Sequence, residues 1–249
     1  VKIALIPAVA SGLAVGISRF GSHKAAQYCM TLYLPFIFIL YFRSFLLDIV
    51  DERKCRVKQY LRINGLSHSV YILGWIITET IKGMLFSAVL LGVIAAGQVI
   101  KSEDYGECFV LLALYSLASI QFGFFLSCLF KDPRLASQLG SFFYLIPVGF
   151  FFTLAFIEDN KVKVLICLLP QPALMQGIGH LMDKPFKYIL NGKYCMVMLA
   201  VDTVLYFLLS NYLDQVLRNE YGIHQPWWYP LETLYRFVVG KPKKDGRHK

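Results

Sequence analysis

Long apolar blocks separated by short charged ones set the pattern of this chain. Apolar runs cover about Tyr28 to Leu47, Val70 to Ile100, Cys108 to Phe130, Leu135 to Ile157 and Tyr194 to Leu213. A membrane-crossing helix takes roughly 20 apolar residues, so the pattern predicts five spans. Pro35 in the first run, and Pro147 with Gly149 in the fourth, predict kinks, which membrane helices tolerate. Arg43 is placed to snorkel from the end of the first span. The second run is longer than a bilayer needs and is expected to tilt or project. Between Glu158 and Lys193 the apolar pieces Val162 to Leu169 and Ala173 to Met182 are each too short to span. Pro170 and Pro172 are expected to break them apart, which suggests a re-entrant or interfacial helical hairpin. Ile3 to Phe20 is apolar but rich in Gly and Ala and contains Pro7. Only the polar link Gly21 to Lys24 separates it from the next run, so it is expected not to span.

The charged blocks orient these spans. Asp48 to Leu66 reads DIVDERKCRVKQYLRINGL and is the most charged stretch between two apolar runs. As a helix it places Val57 and Leu61, with Cys55 and Tyr60 more loosely, on one apolar edge, and spreads its basic residues over the rest. Gly65 is a helix-stop signal. One amphipathic helix lying on a membrane face is expected. Lys131-Asp132-Pro133-Arg134 forms a tight polar turn, Lys101 to Glu107 is net acidic, and Lys241 to Lys249 is a basic tail. The positive-inside rule puts the Asp48–Leu66 loop, the Lys131 turn and the tail in the cytoplasm. These charges either serve topology alone or also form a surface on which an aqueous partner acts.

Composition agrees with a membrane protein and narrows the chemistry. The 249 residues are 57% hydrophobic and 16% charged, with a mean hydropathy of +0.54. A soluble domain of this size could not hide so much apolar surface. The net charge of +9 sits mostly in short loops and the tail, so topology explains it better than nucleic-acid binding does. The six cysteines, Cys29, Cys55, Cys108, Cys128, Cys167 and Cys195, show no CxxC pair and no zinc spacing. Most read as packing thiols, with one disulfide among Cys108, Cys167 and Cys195 left open. No Asn-x-Ser/Thr acceptor occurs, and the chain opens on Val1 without a signal-peptide pattern. It is expected to be a piece of a longer polypeptide.

Candidate chemistry inside the apolar runs is confined to Glu79, Lys82 and Asp202. Ionisable residues there face a bundle interior or a cavity. They read either as a polar lining for a head group or gate, or as a structural Glu79–Lys82 pair three residues apart with Asp202 near the interface. His180 and Asp183 share the same spacing, but no nucleophile or metal ligand accompanies them. The sequence contains no GxxxxGK[ST] phosphate loop, no GxSxG and no HExxH. No catalytic residue, metal ligand or cofactor is assigned in this chain.

Two motifs carry a resemblance. Glu52 to Ser67, read as E-R-K-x-R-x-K-x-Y-x-R-x-x-G-L-S, is similar to the first cytoplasmic loop of A-subfamily ABC transporters. Lys54, Val57 and Gln59 depart from that pattern. After the last span, Glu220-Tyr221-Gly222 and Pro226-Trp227-Trp228-Tyr229-Pro230 resemble the subfamily's passage toward its nucleotide-binding domain, although on chemistry alone they read as an aromatic belt. The resemblance covers about Met30 to Gly240 and leaves out Val1 to Phe20. It implies an all-α fold, a polytopic membrane helical bundle of the ABC exporter type. The bundle would have five spans plus a re-entrant exoplasmic hairpin and would form part of a six-span half.

The expected division is 1–27 as the end of a preceding exoplasmic or interfacial segment, 28–214 as the transmembrane domain and 215–249 as a cytoplasmic linker. The resemblance further implies ATP-driven movement of a lipid or another amphipathic substrate. Coupling would run through Asp51, Glu52, Arg53, Arg56, Lys58, Tyr60, Leu61, Arg62, Gly65 and Leu66, and through Lys131, Asp132 and Arg134 of the second turn. Its partners would be the lipid bilayer, a lipid substrate, a nucleotide-binding domain using ATP and Mg outside this chain, and a second transmembrane half. The competing reading is a stand-alone channel-like or scaffold subunit without ATP coupling. A channel would repeat polar residues along one span, and none of the five does so.

Overall fold

The computed structural model describes residues 23–55, 57–96, 100, 102–154, 159–181, 191–216 and 228. Among these residues the fold is eight α-helices and one short 3-10 turn, with no strand. They are α1 His23–Lys54, α2 Val57–Ile63, α3 His68–Ala96, α4 Tyr105–Ser127, α5 Pro133–Leu154, α6 Asn160–Ile166, α7 Pro170–Leu181 and α8 Gly192–Val216.

Four helices are long and apolar enough to cross a membrane: Thr31–Lys54 within α1, Val70–Ala96 within α3, α4, and Gly192–Asp214 within α8. The fourth expected span corresponds to α5, a 22-residue helix that is not among those four. Its first half carries Arg134, Ser137, Gln138 and Ser141, which dilute its apolar character. The helices α1 and α5 continue through Pro35 and Pro147.

The helix α4 is the axis of the bundle. About 72% of its apolar window is buried, against 22% to 44% in the other three. That follows from its sequence, which is apolar nearly all round, so no face is fit for water. It packs on α8, α3, α7 and α1, and α1 packs in turn on α5. Aromatic side chains fill the seams. Phe38 of α1 stands edge-on to Phe86 at 5.0 Å and to Tyr115 at 4.8 Å. Edge-on contacts of this kind add to burial. The Tyr115 and Tyr144 hydroxyls bond each other, and Tyr144 also donates to the Pro35 carbonyl at 3.3 Å, tying α4, α5 and α1 together.

Four local expectations need correction. Asp48 to Leu66 is not one helix: α1 runs on to Lys54, and only Val57–Ile63 forms a separate short helix. Arg43 therefore does not lie at the end of its helix, and its Nε donates to Ser137 Oγ of α5 at 2.8 Å. The third span, expected from Cys108, starts earlier, because α4 begins at Tyr105 straight after the 3-10 turn Ser102–Asp104. Glu107 in that first turn suits the positive end of the helix dipole.

The fourth correction concerns the prolines. The two apolar pieces are separate helices as expected, but the break lies at 167–169, and Pro170 and Pro172 open α7, where a missing N–H is harmless and the fixed φ is already helical. Within the resulting helix–turn–helix, α6 exposes Val162 and Leu165, while α7 is packed into the bundle. Eleven of the twelve α7 residues are buried, against α8, α4, α1 and α5. Gly177 permits this approach, since a Cβ there would lie 2.7 Å from the Leu111 side chain.

Candidate coupling surface and embedded polar residues

The alternation of helices brings the end of α1, α2, the start of α3, the end of α4, the start of α5 and the end of α8 to one end of the bundle. The described parts of the Asp48–Leu66 stretch and of the Lys131 turn lie there. The last turn of α1 is tied to three other helices and to the second polar turn. Glu52 Oε2 accepts from the Tyr71 hydroxyl of α3 at 3.0 Å. Arg53 Nη1 donates to Ser127 Oγ of α4 at 2.7 Å, and Nη2 lies 3.8 Å from Asp214 Oδ1 of α8. Both side chains of that ion pair are nearly buried, at 10% and 8% exposure. Lys54 Nζ meets Asp132 Oδ1 at 3.1 Å in an exposed pair. Lys54, a departure from the family pattern, thus joins the first candidate loop to the second.

The short helix α2 shows its own logic. Val57 and Leu61, one turn apart, are half-buried. Tyr60 and Ile63 point away and are 67% and 85% exposed. The helix ends as its sequence indicates. Gly65 has φ +92°, and the Leu66 N–H bonds back to the Leu61 carbonyl at 3.0 Å. This is the six-to-one bond of a Schellman cap, which needs a left-handed residue and favours glycine. Asp51, Lys131 and Arg134 are exposed, and Leu66 is half-buried. Arg56 lies outside the described residues. Lys58 and Arg62 belong to α2, but their side chains are not described. Of the motif after the last span only Trp228 is described, and it is half-exposed.

Deeper in the bundle, Glu79 and Lys82 do pair. Lys82 Nζ donates to Glu79 Oε1 at 2.6 Å, with Glu79 buried and Lys82 45% exposed. The Tyr41 hydroxyl of α1 lies 3.1 Å from Glu79 Oε2 and 2.9 Å from the Glu79 carbonyl. Sequence reasoning missed Tyr41, Tyr71, Ser127 and Asp214. For Asp214 a signal existed: an acid at the end of the last span, on the side where the basic loop gathers.

Asp202 sits in the middle of α8 rather than at either end. It lies on the buried face of α8 with Cys195, Leu199, Tyr206 and Ser210, and is fully buried itself. Neither of its carboxylate oxygens has a hydrogen-bond partner among the described residues. In the turn before α7, burial above all, with Cys195 and Asp202 nearby, pushes the Cys167 thiol up to about 12. Cys108, Cys167 and Cys195 are free thiols, so none of them forms the disulfide left open above. His180 packs against Gly192, and Asp183 lies outside the described residues. No group of His, Cys, Asp and Glu that would hold a metal occurs among the described residues.

A family model described as ABC-2 family transporter protein matches residues 21–212. The chain belongs to that family. With its apolar helices, it is an integral multi-pass membrane protein. It is similar to Cholesterol transporter ABCA5 of Rattus norvegicus, 29% identical over 235 residues, covering 89% of this chain and 14% of that protein. Glucosylceramide transporter ABCA12 of Mus musculus is 24% identical over 245 residues, covering 89% of this chain and 9% of that protein. ATP-binding cassette sub-family A member 2 of Rattus norvegicus is 26% identical over 216 residues, covering 78% and 9%. The chain therefore spans 9% to 14% of the length of these relatives.

Proposed function

We propose that this chain is the membrane part of an ATP-driven transporter that moves lipid, coupled to a nucleotide-binding domain through residues 48–66 and 131–135. The observation that carries the coupling is the α2 surface. Tyr60 and Ile63 stand exposed at the tip of a basic loop while Val57 and Leu61 anchor the helix from behind. Adjacent exposed apolar side chains at the tip of a polar loop suit a docking partner, which would cover them. The ties from Glu52, Arg53 and Lys54 to α3, α4, α8 and the second turn give a push on α2 a stiff route into the spans. Motion would pass as rigid-body displacement rather than by bending.

The names of the relatives support a lipid substrate. In this reading residues 28–214 form the transmembrane domain with five spans, α5 among them, and 215–249 lead to the nucleotide-binding domain. That domain would supply ATP and Mg chemistry, and a second transmembrane half would complete the pathway. The hairpin α6–α7 would be re-entrant from the outer side. The Tyr206 hydroxyl bonds the Leu168 carbonyl at 3.3 Å and His180 packs on Gly192, so α7 lies antiparallel beside the outer half of α8.

The test uses the full-length protein in vesicles, with ATP-dependent transfer of a fluorescent lipid between leaflets. Reversing two loop charges, Arg56→Glu with Lys58→Glu, should abolish transfer while leaving expression and helical content unchanged. Transfer at the unaltered rate would refute coupling through this loop.

A further inference from the structure

Two basic side chains stand exposed near mid-membrane among the described residues: Arg43, whose Nε is held by Ser137, and Lys82. Lys82 stands at the midpoint of α3. Its neighbour Gly83 abuts Ser116, at the midpoint of α4, where a Cβ would lie 3.0 Å from Ser116 Oγ. Two helices therefore put Lys82 at the same central depth. From there the nearest head-group layer is about 15 Å away, beyond the reach of a lysine side chain. Yet 45% of the side chain is exposed on the outside of the bundle. An ammonium facing acyl chains at that depth would be heavily disfavoured, so this part of α3 must border something polar. Glu79 occupies one donor of the ammonium and is itself held by Tyr41. The remaining N–H groups point outward with no partner among the described residues. Beside them runs the exposed apolar row Ile77, Ile81 and Leu85.

A held cation next to an apolar row matches one kind of ligand, a phosphate-bearing head group with its acyl chains. We infer that Lys82, positioned by Glu79 and Tyr41 and flanked by Ile77, Ile81 and Leu85, binds a phospholipid as it passes the membrane midplane. This rests on the lipid-moving function proposed above and narrows it to phosphate-bearing lipids. A sterol or an uncharged glycolipid offers the ammonium no charge to hold, and the pair would then be merely structural.

The full-length protein is placed in nanodiscs without ATP and irradiated with a phosphatidylcholine carrying a diazirine on its head group. A cholesterol bearing the same diazirine is the control, and labelled peptides are located by mass spectrometry. The phospholipid probe should label residues 74–92. Lys82→Gln should lower that labelling about tenfold, the scale of one charge-assisted hydrogen bond, and Lys82→Arg should restore it. Thr78→Trp, which crowds the same exposed face one turn from Lys82, should lower it as well. Sterol labelling should not respond to Lys82→Gln. The inference is overturned by an unlabelled 74–92 segment in the native protein, by phospholipid labelling insensitive to Lys82→Gln or Thr78→Trp, or by both probes falling together. Transfer that persists without Lys82-dependent labelling sinks this site and leaves the proposed function standing. Labelling without any transfer does the reverse.

Discussion

Two ion pairs at the same end of the bundle should respond very differently to deletion. Arg53–Asp214 is nearly buried with charges 3.8 Å apart, while Lys54–Asp132 is mostly exposed at 3.1 Å. At an effective dielectric near 20, the first separation corresponds to an attraction of about 4 kcal/mol before desolvation. In water the second corresponds to about 1 kcal/mol, which side-chain entropy largely offsets. Removing one member of a buried pair also strands the other charge, at about 3–5 kcal/mol when burial is complete. Asp214 keeps another interaction, so about 2–3 kcal/mol is the expected loss for Arg53→Ala. The loss for Lys54→Ala should stay below about 1 kcal/mol. The purified protein in detergent would be melted with helical circular dichroism as readout. At about 2–4 °C per kcal/mol for a chain of this size, the two variants should differ by about 4–8 °C. Raising salt to about 1 M shrinks the screening length to about 3 Å and should erase only the Lys54 effect. Equal losses, or an Arg53 effect that salt removes, would refute the ranking by burial.

Three further outcomes follow from the same geometry. Gly65→Val should destabilise the loop by about 1–3 kcal/mol through its φ of +92° alone, since no atom crowds that position; faster protease cleavage near 64–67 is the readout. Gly177→Ala should weaken the seat of α7 because its Cβ would meet the Leu111 side chain, and Leu111→Ala should recover part of the lost melting temperature when combined with it. In a Cys29→Ser background, maleimide at pH 8 should modify exposed Cys55 first. Cys167 is fully buried, and burial pushes its thiol up, so labelling at matching rates would contradict its placement.

The four helices able to cross a membrane were legible because apolar blocks of bilayer length are a strong signal. Their ends were less so. The helix α1 continues to Lys54 because Ile49 and Val50 remain buried after the charges begin at Asp48, and no composition rule sees that burial. The break near Pro170 was readable, but not that both prolines belong to the helix after it, since proline punctuates a helix and can also start one. At the candidate site, the Gly65 cap and the Glu79–Lys82 pair were readable because both are local. Tyr41 with Glu79 and Arg53 with Asp214 were not, as those pairs lie far apart in the chain and meet only through helix packing.

The most direct measurement replaces Tyr60 with a photoreactive amino acid in the full-length protein and irradiates it with and without nucleotide. Tyr60 is 67% exposed on α2, at the centre of the surface assigned to coupling. The expected product is a crosslink into the nucleotide-binding domain, whose yield changes with nucleotide. Crosslinks to lipid alone, or to this chain's own helices in every nucleotide state, would contradict the assignment of this loop as the point where the ATPase acts.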